Sequence, residues 1–196
     1  MAEAIAAADE DGLAALSMKT LATRLGAGTM SLYRYVPAKE DLVSLMFDTA
    51  LGSPPDLAGQ PWREALTTWA HANRDYFHRH PWALTIVAQP RAIGPHELAW
   101  TEAALRVLTA AGVPERLRFD VLFTINGYAR GAAQFSAPGD RGPTLDVAAV
   151  LASGREAEFA TMLSLAAAMP ADYDLGSTAT FEFGLGIVLD GIARLM

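Results

Sequence analysis

Between Ser17 and Lys39 the chain reads SMKTLATRLGAGTMSLYRYVPAK, two short helical patterns joined at a glycine turn, and no other stretch limits the fold so tightly. Met18, Leu21, Ala22 and Leu25 recur at helical spacing behind Ser17, a good N-cap, and Gly26 stands where a helix should stop. After Gly26-Ala27-Gly28, Thr29 is placed to cap a second helix from Met30 to Tyr35, which Pro37 keeps short. Ala22 is small where the second helix must cross the first, Gly26 can take a left-handed turn, and Leu32 can point into the crevice. The spacing predicts a helix-turn-helix with Met30, Ser31, Arg34 and Tyr35 facing outward.

Lys19, Arg24, Arg34 and Lys39 put four positive charges in this stretch against no acid, although the whole chain carries −7 and the remainder therefore −11. A basic tip on an acidic body still binds phosphate while the body resists indiscriminate sticking. A short helix of this kind can lie in a DNA major groove. Arg34 would then reach a guanine edge or a phosphate, and Thr29 or Met30 a thymine methyl, while Lys19 and Lys39 hold phosphates at the flanks. Taken by itself, the same corner also fits an ordinary helical bundle with solvated charges.

Charged residues at 19% and hydrophobic ones at 52% describe a folded chain and not a disordered tail. Cysteine is absent, which excludes disulfides and thiolate chemistry and makes a reducing cytoplasm the expected compartment. The opening MAEAIAAADEDG is acidic and lacks the basic start of a secretory leader. No membrane span is expected, because charge-free windows such as 159–171 fall short of the roughly 18 residues needed and this one contains Pro170.

The pattern predicts an all-α chain of about nine helices, with no strand alternation and no repeat. Residues 1–51 form a small head, Gly52-Ser53-Pro54-Pro55 through Pro61 a break, and 62–196 a larger body. In the body, helices are expected from Trp62 to His80, through 81–87, from His96 to Ala111, from Glu115 to Ala137, from about Leu145 or Arg155 to Met169, and from Gly176 to Met196. A loop is expected over 137–146.

The run GLAALSMKTLATRLGAGTMSLYRYVPAKEDLVSLMFD resembles the DNA-binding domain of the tetracycline-repressor (TetR) family of bacterial transcriptional regulators. The likeness is carried by Gly12-Leu13, Leu16-Ser17, Leu21-Ala22, Arg24-Leu25-Gly26 and above all Ser31 to Val36 followed by Lys39 to Leu42. Members of that family usually have a basic segment before the first helix, which this opening does not show. The resemblance implies that Tyr33 reaches the DNA backbone and Lys39 completes the contact, giving a DNA-facing set of Met18, Lys19, Thr29, Met30, Ser31, Tyr33, Arg34, Tyr35 and Lys39. It implies double-stranded operator DNA, a small-molecule effector and a second copy of the chain as partners, and no membrane.

The body is similar to the same family more loosely. Trp69 and Asn73 fall where that family contacts its ligand, and Phe77, Trp82, Trp100, Phe119, Phe123 and Asn126 are expected to complete an aromatic chamber for an apolar effector. Each aromatic alone reads equally well as core. Gly127 and Gly131, with Gly184, Val188 and Gly191 of the last helix, are expected to form a four-helix seam between two copies, with packing inside one chain as the alternative.

His71, His78, His80 and His96 show no metal-ligand spacing, and the magnesium-holding histidine of the tetracycline repressor has no counterpart, so neither metal nor cofactor is expected. Neither a phosphate loop nor a nucleophile elbow is present, and no catalytic residue is expected. The rival reading is a helical small-molecule-binding protein whose head no longer binds DNA.

Overall fold

The computed structural model describes residues 1–135, 147–170, 173–174 and 176–196. Among them are eleven α-helices and no strand: α1 Ala2–Asp11, α2 Met18–Arg24, α3 Thr29–Tyr33, α4 Lys39–Leu51, α5 Trp62–Arg79, α6 Ala83–Ile86, α7 Pro95–Ala110, α8 Arg118–Phe135, α9 Val147–Ala152, α10 Ala160–Ala168 and α11 Thr178–Ala193. The count exceeds the expected nine or so, in part because the helix anticipated before Met169 breaks at Gly154, φ 67°, into α9 and α10. The loop expected over 137–146 lies outside the described residues.

The corner forms as its residues dictate. Ser17 accepts a hydrogen bond from the Thr20 amide at 3.1 Å while the Thr20 hydroxyl accepts from the Ser17 amide at 2.9 Å, a reciprocal cap that satisfies two otherwise orphaned donors of α2. Gly26 turns the chain at φ 61°, where a side chain would be strained. Gly28, not Thr29, is the N-cap of α3, because the chain enters the helix one residue early and the Ser31 hydroxyl donates back to the Gly28 carbonyl at 2.6 Å. The helix also closes at Tyr33 instead of Tyr35, two residues sooner than expected.

One apolar core runs from Ala4 in α1 to Ile192 in α11, so head and body share an interior. α5 lies at its centre, packed on α8 and α7, with α11 laid along α8. In α4 the buried face is Leu42, Val43, Met46, Phe47 and Leu51, while Leu45 and Thr49 face solvent. The Tyr76 hydroxyl on α5 donates to the Phe47 carbonyl at 3.1 Å, and burial pushes that hydroxyl's pKa up. No helix among the described residues is long and apolar enough to cross a membrane.

Candidate functional site

At the tip, α3 stands out as a ridge. Met30 is 81% exposed and Tyr33, Arg34 and Tyr35 are exposed beside it, with the Arg34 guanidinium 5.3 Å from the Tyr35 ring centroid. Thr29 and Ser31 are half-buried, and Leu32 packs against the core as the spacing required. Lys19 is exposed and Lys39 half-exposed at the first position of α4. Met18, placed in the DNA-facing set, is instead only 5% exposed. It opens α2 on the same face as buried Leu21 and Ala22, three and four residues on, so it supports the corner from beneath.

Arg24 is the fourth charge of the tip, and it turns away from the ridge. Its guanidinium meets Asp11 at 2.7 Å, Glu10 at 3.0 Å and Glu3 at 3.6 Å, so the acidic α1 neutralises it. Lys19, Arg34 and Lys39 are the remaining positive charges of the tip.

The aromatic set of the body divides. Trp69 and Trp100 meet edge to face at 5.9 Å, with the Trp69 indole N–H donating to the Trp100 carbonyl at 3.1 Å. The Trp100 indole N–H reaches the Gly52 carbonyl at 2.9 Å, and Phe77 packs on Tyr76 at 5.1 Å. These three are buried in the core. Trp82 lies elsewhere, its indole N–H donating to Asp9 of α1 at 2.6 Å. Phe119 and Phe123 are on the outside, stacked at 6.2 Å, with Phe123 67% exposed. The reason is angular: α8 buries Val121, Leu122, Ile125 and Ala129, and positions 119 and 123 fall on the opposite face. Asn126 is half-buried on the same helix.

Asn73 and Arg74 on α5 are the unusual interior residues. Both are buried, and Asn73 Oδ1 and Arg74 Nε have no hydrogen-bond partner among the described residues. Arg74 ties α5 to the start of α11 through the Gly176 carbonyl at 2.7 Å and lies 4.8 Å from the Phe181 ring centroid, yet no carboxylate pairs with it among the described residues. Burial, and then the Arg74 charge, hold the His78 pKa below its usual value.

The seam residues also divide. Gly127 and Gly191 are exposed as expected, each closing an outward stripe at four-residue spacing: Phe119, Phe123, Gly127 on α8 and Phe183, Ile187, Gly191 on α11. Phe183, 73% exposed, and Ile187 were not anticipated, although that spacing marks them. Gly131 and Val188 are half-buried, Val188 against the core. Gly184 belongs to the inside of one chain: a Cβ there would overlap the Tyr128 ring of α8, whose hydroxyl donates to the Phe181 carbonyl at 2.8 Å.

The joint between head and body holds residues that no local pattern marks. Asp48 of α4 is buried and accepts from the Glu97 amide at 3.0 Å, capping α7 from another helix, while its second oxygen lies 3.0 Å from His96 Nδ1. Gly94 makes room, since a Cβ there would overlap the Asp48 carboxyl. Arg91 clamps Glu97 through two bonds of 2.7 and 2.8 Å and lies 4.0 Å from the Phe47 ring centroid. Beside this joint a groove of about 680 Å³ separates α4 from the 86–95 segment.

The chain has clear relatives. Its residues 54–196 match the family described as Tetracyclin repressor-like, C-terminal domain. It is 34% identical to the HTH-type transcriptional repressor DrrR1 of Streptomyces coeruleorubidus over 98% of this chain and 75% of that protein. The tetracycline repressor protein class A from transposon 1721 of Escherichia coli is 29% identical, over 95% of this chain and 85% of that one. Among solved structures, the Streptomyces coelicolor TetR family protein ActR in complex with actinorhodin superposes with a TM-score of 0.79 at 25% identity, covering 98% of this chain and 94% of the other.

Proposed function

The chain belongs to the tetracycline-repressor-like family of helix-turn-helix transcriptional regulators, and from that premise we propose that it is a repressor released from operator DNA by a small molecule. The observation that carries this reading is the α3 ridge, where Met30, Arg34 and Tyr35 project beside Lys19 and Lys39 with no acid of their own stretch to oppose them. Arg34 reads a base edge, and the two lysines position the head on phosphates. The protein acts by binding and not by catalysis, in the cytoplasm where its DNA lies.

Two copies act together, because one short helix reads only a few base pairs and a symmetric pair reads half-sites about 34–36 Å apart or a multiple of that. The outward stripes of α8 and α11 supply the apolar surface for that pairing. Residues 1–51 serve as the reading head and 62–196 as the sensing and pairing body.

The effector enters beside α5, where Asn73 Oδ1 and Arg74 Nε are buried and without a hydrogen-bond partner among the described residues. Buried polar atoms left bare cost about 1–3 kcal/mol each, so a ligand that satisfies them gains affinity. ActR, a relative in fold, is solved with actinorhodin, an example of such a ligand in this family. A ligand favouring the body shape in which the heads are wrongly spaced lowers DNA affinity by its differential binding.

Electrophoretic mobility of DNA from upstream of the chain's own gene tests the reading. Retardation is expected, and it is expected to weaken as an apolar aromatic effector is added. A chain that binds such a compound but never retards DNA would support the rival, a binding protein with a silent head.

A further inference from the structure

We propose that the groove between α4 and the 86–95 segment is a second regulatory site, distinct from the one beside α5, and that it takes a lipophilic organic cation, a protonated amine carried on an apolar ring frame. Its volume of about 680 Å³ suits a drug-sized molecule. The walls are apolar, with Val43 and Leu45 on the head side and Ile86, Pro90, Ile93 and Pro95 on the body side.

Charge decides the class of occupant. Glu40 and Asp41 are exposed at the rim and carry no ion pair among the described residues. Arg91 is cancelled by Glu97 through its two-bond clamp. Asp48 is engaged by the Glu97 amide and by His96, so Glu40 and Asp41 stand at the rim against Lys39 and leave the groove electronegative. An anion is repelled there, and a neutral ring leaves the rim field unused. Arg91 lines the groove, and its side chain, 9% exposed, keeps Nε without a partner among the described residues, a donor that an ether or carbonyl oxygen on the frame would satisfy.

The site regulates because of where its walls belong. One wall is the helix that begins with the phosphate-contacting Lys39, and the other leads into α7, whose first turn is capped by Asp48 across the joint. A molecule touching both binds with an affinity that depends on the tilt of head against body, and therefore alters that tilt in return. This consequence rests on the regulator reading above; the binding itself does not.

The test is calorimetric titration of the full chain with three ring-matched probes, naphthylmethylammonium, naphthylmethanol and naphthoate. The cation is expected to bind at least about tenfold more tightly than the other two. The double variant E40Q/D41N should lose about that factor for the cation and keep its affinity for the alcohol. Ser44→Trp, which fills the groove from the α4 wall, should abolish cation binding, and Asn73→Leu should leave it intact. Equal affinities for the three probes, or cation binding that survives in a folded Ser44→Trp or disappears in a folded Asn73→Leu, would overturn the site. A mobility assay then separates the two halves: cation binding with operator affinity unchanged removes the regulatory role, whereas a chain that binds the cation but never DNA refutes the repressor reading and leaves the site standing.

Discussion

A buried carboxylate that caps a neighbouring helix has no water to turn to when its partners are taken away. Asp48→Ala removes the acceptor for the Glu97 amide and for His96 together, and about 1–3 kcal/mol of stability should go with it, read as a lower urea midpoint at unchanged slope. Asp48→Asn keeps an acceptor and should cost less. Gly94→Ala should resemble Asp48→Ala, because its methyl would occupy the place of the carboxyl. Acid should also weaken the fold through His78. Burial depresses its pKa in the folded chain, so the unfolded chain takes up the proton first, and stability falls as pH drops through about 6.5 and below. A His78→Gln variant should show a shallower acid limb in pH-resolved melting; an unchanged limb would assign the acid sensitivity to other groups. Residues of this kind were the least visible in the sequence. Ser17 and Gly26 announce their roles to their immediate neighbours, whereas Asp48 meets position 97 only after the chain has folded, and nothing near either residue says so.

Helices show the opposite balance. The frame of α4, Lys39–Leu51, stands in the sequence itself, where an acidic first turn and the Gly52 stop enclose an apolar stripe. The expected cap of α2 was legible too, and Ser17→Ala should remove about 1 kcal/mol, measured by chemical denaturation, with a matching loss of DNA affinity as the corner loosens. α8 was harder, since both of its faces are apolar and periodicity alone does not say which one the chain itself covers. Packing on α5 takes Val121, Leu122 and Ile125, and so Phe119 and Phe123 move from the expected chamber to the surface. α10 carries the same ambiguity further: ATMLSLAAA is uncharged and mostly apolar, and it buries no residue among the described ones. Surface of that kind invites cover by another chain.

For the whole molecule, those uncovered faces and the reading head make one prediction. Phe119 and Phe123 on α8, and Phe183 and Ile187 on α11, are large apolar side chains left exposed on two helices that pack against each other. Placing acid there, as Phe123→Glu with Ile187→Glu, should leave helix content by circular dichroism unchanged, because neither side chain belongs to the core. It should shift the sedimenting mass from twice to once 20.9 kDa. DNA binding should then separate into its parts. A pair of heads brings Lys19 and Lys39 twice over, and four phosphate contacts set a slope of about −3.6 in log affinity against log salt. The single copy should show about half that slope and lose at least about a thousandfold in affinity for its operator, because one head keeps the attraction to phosphate but not the spacing that selects a site. Arg24→Ala in the paired protein should leave the slope where it was, since α1 and not DNA holds that charge. A variant that stays paired with acid on both stripes would move the seam to another face; one that becomes single yet keeps full operator affinity would show that the spacing of two heads is not what selects the site.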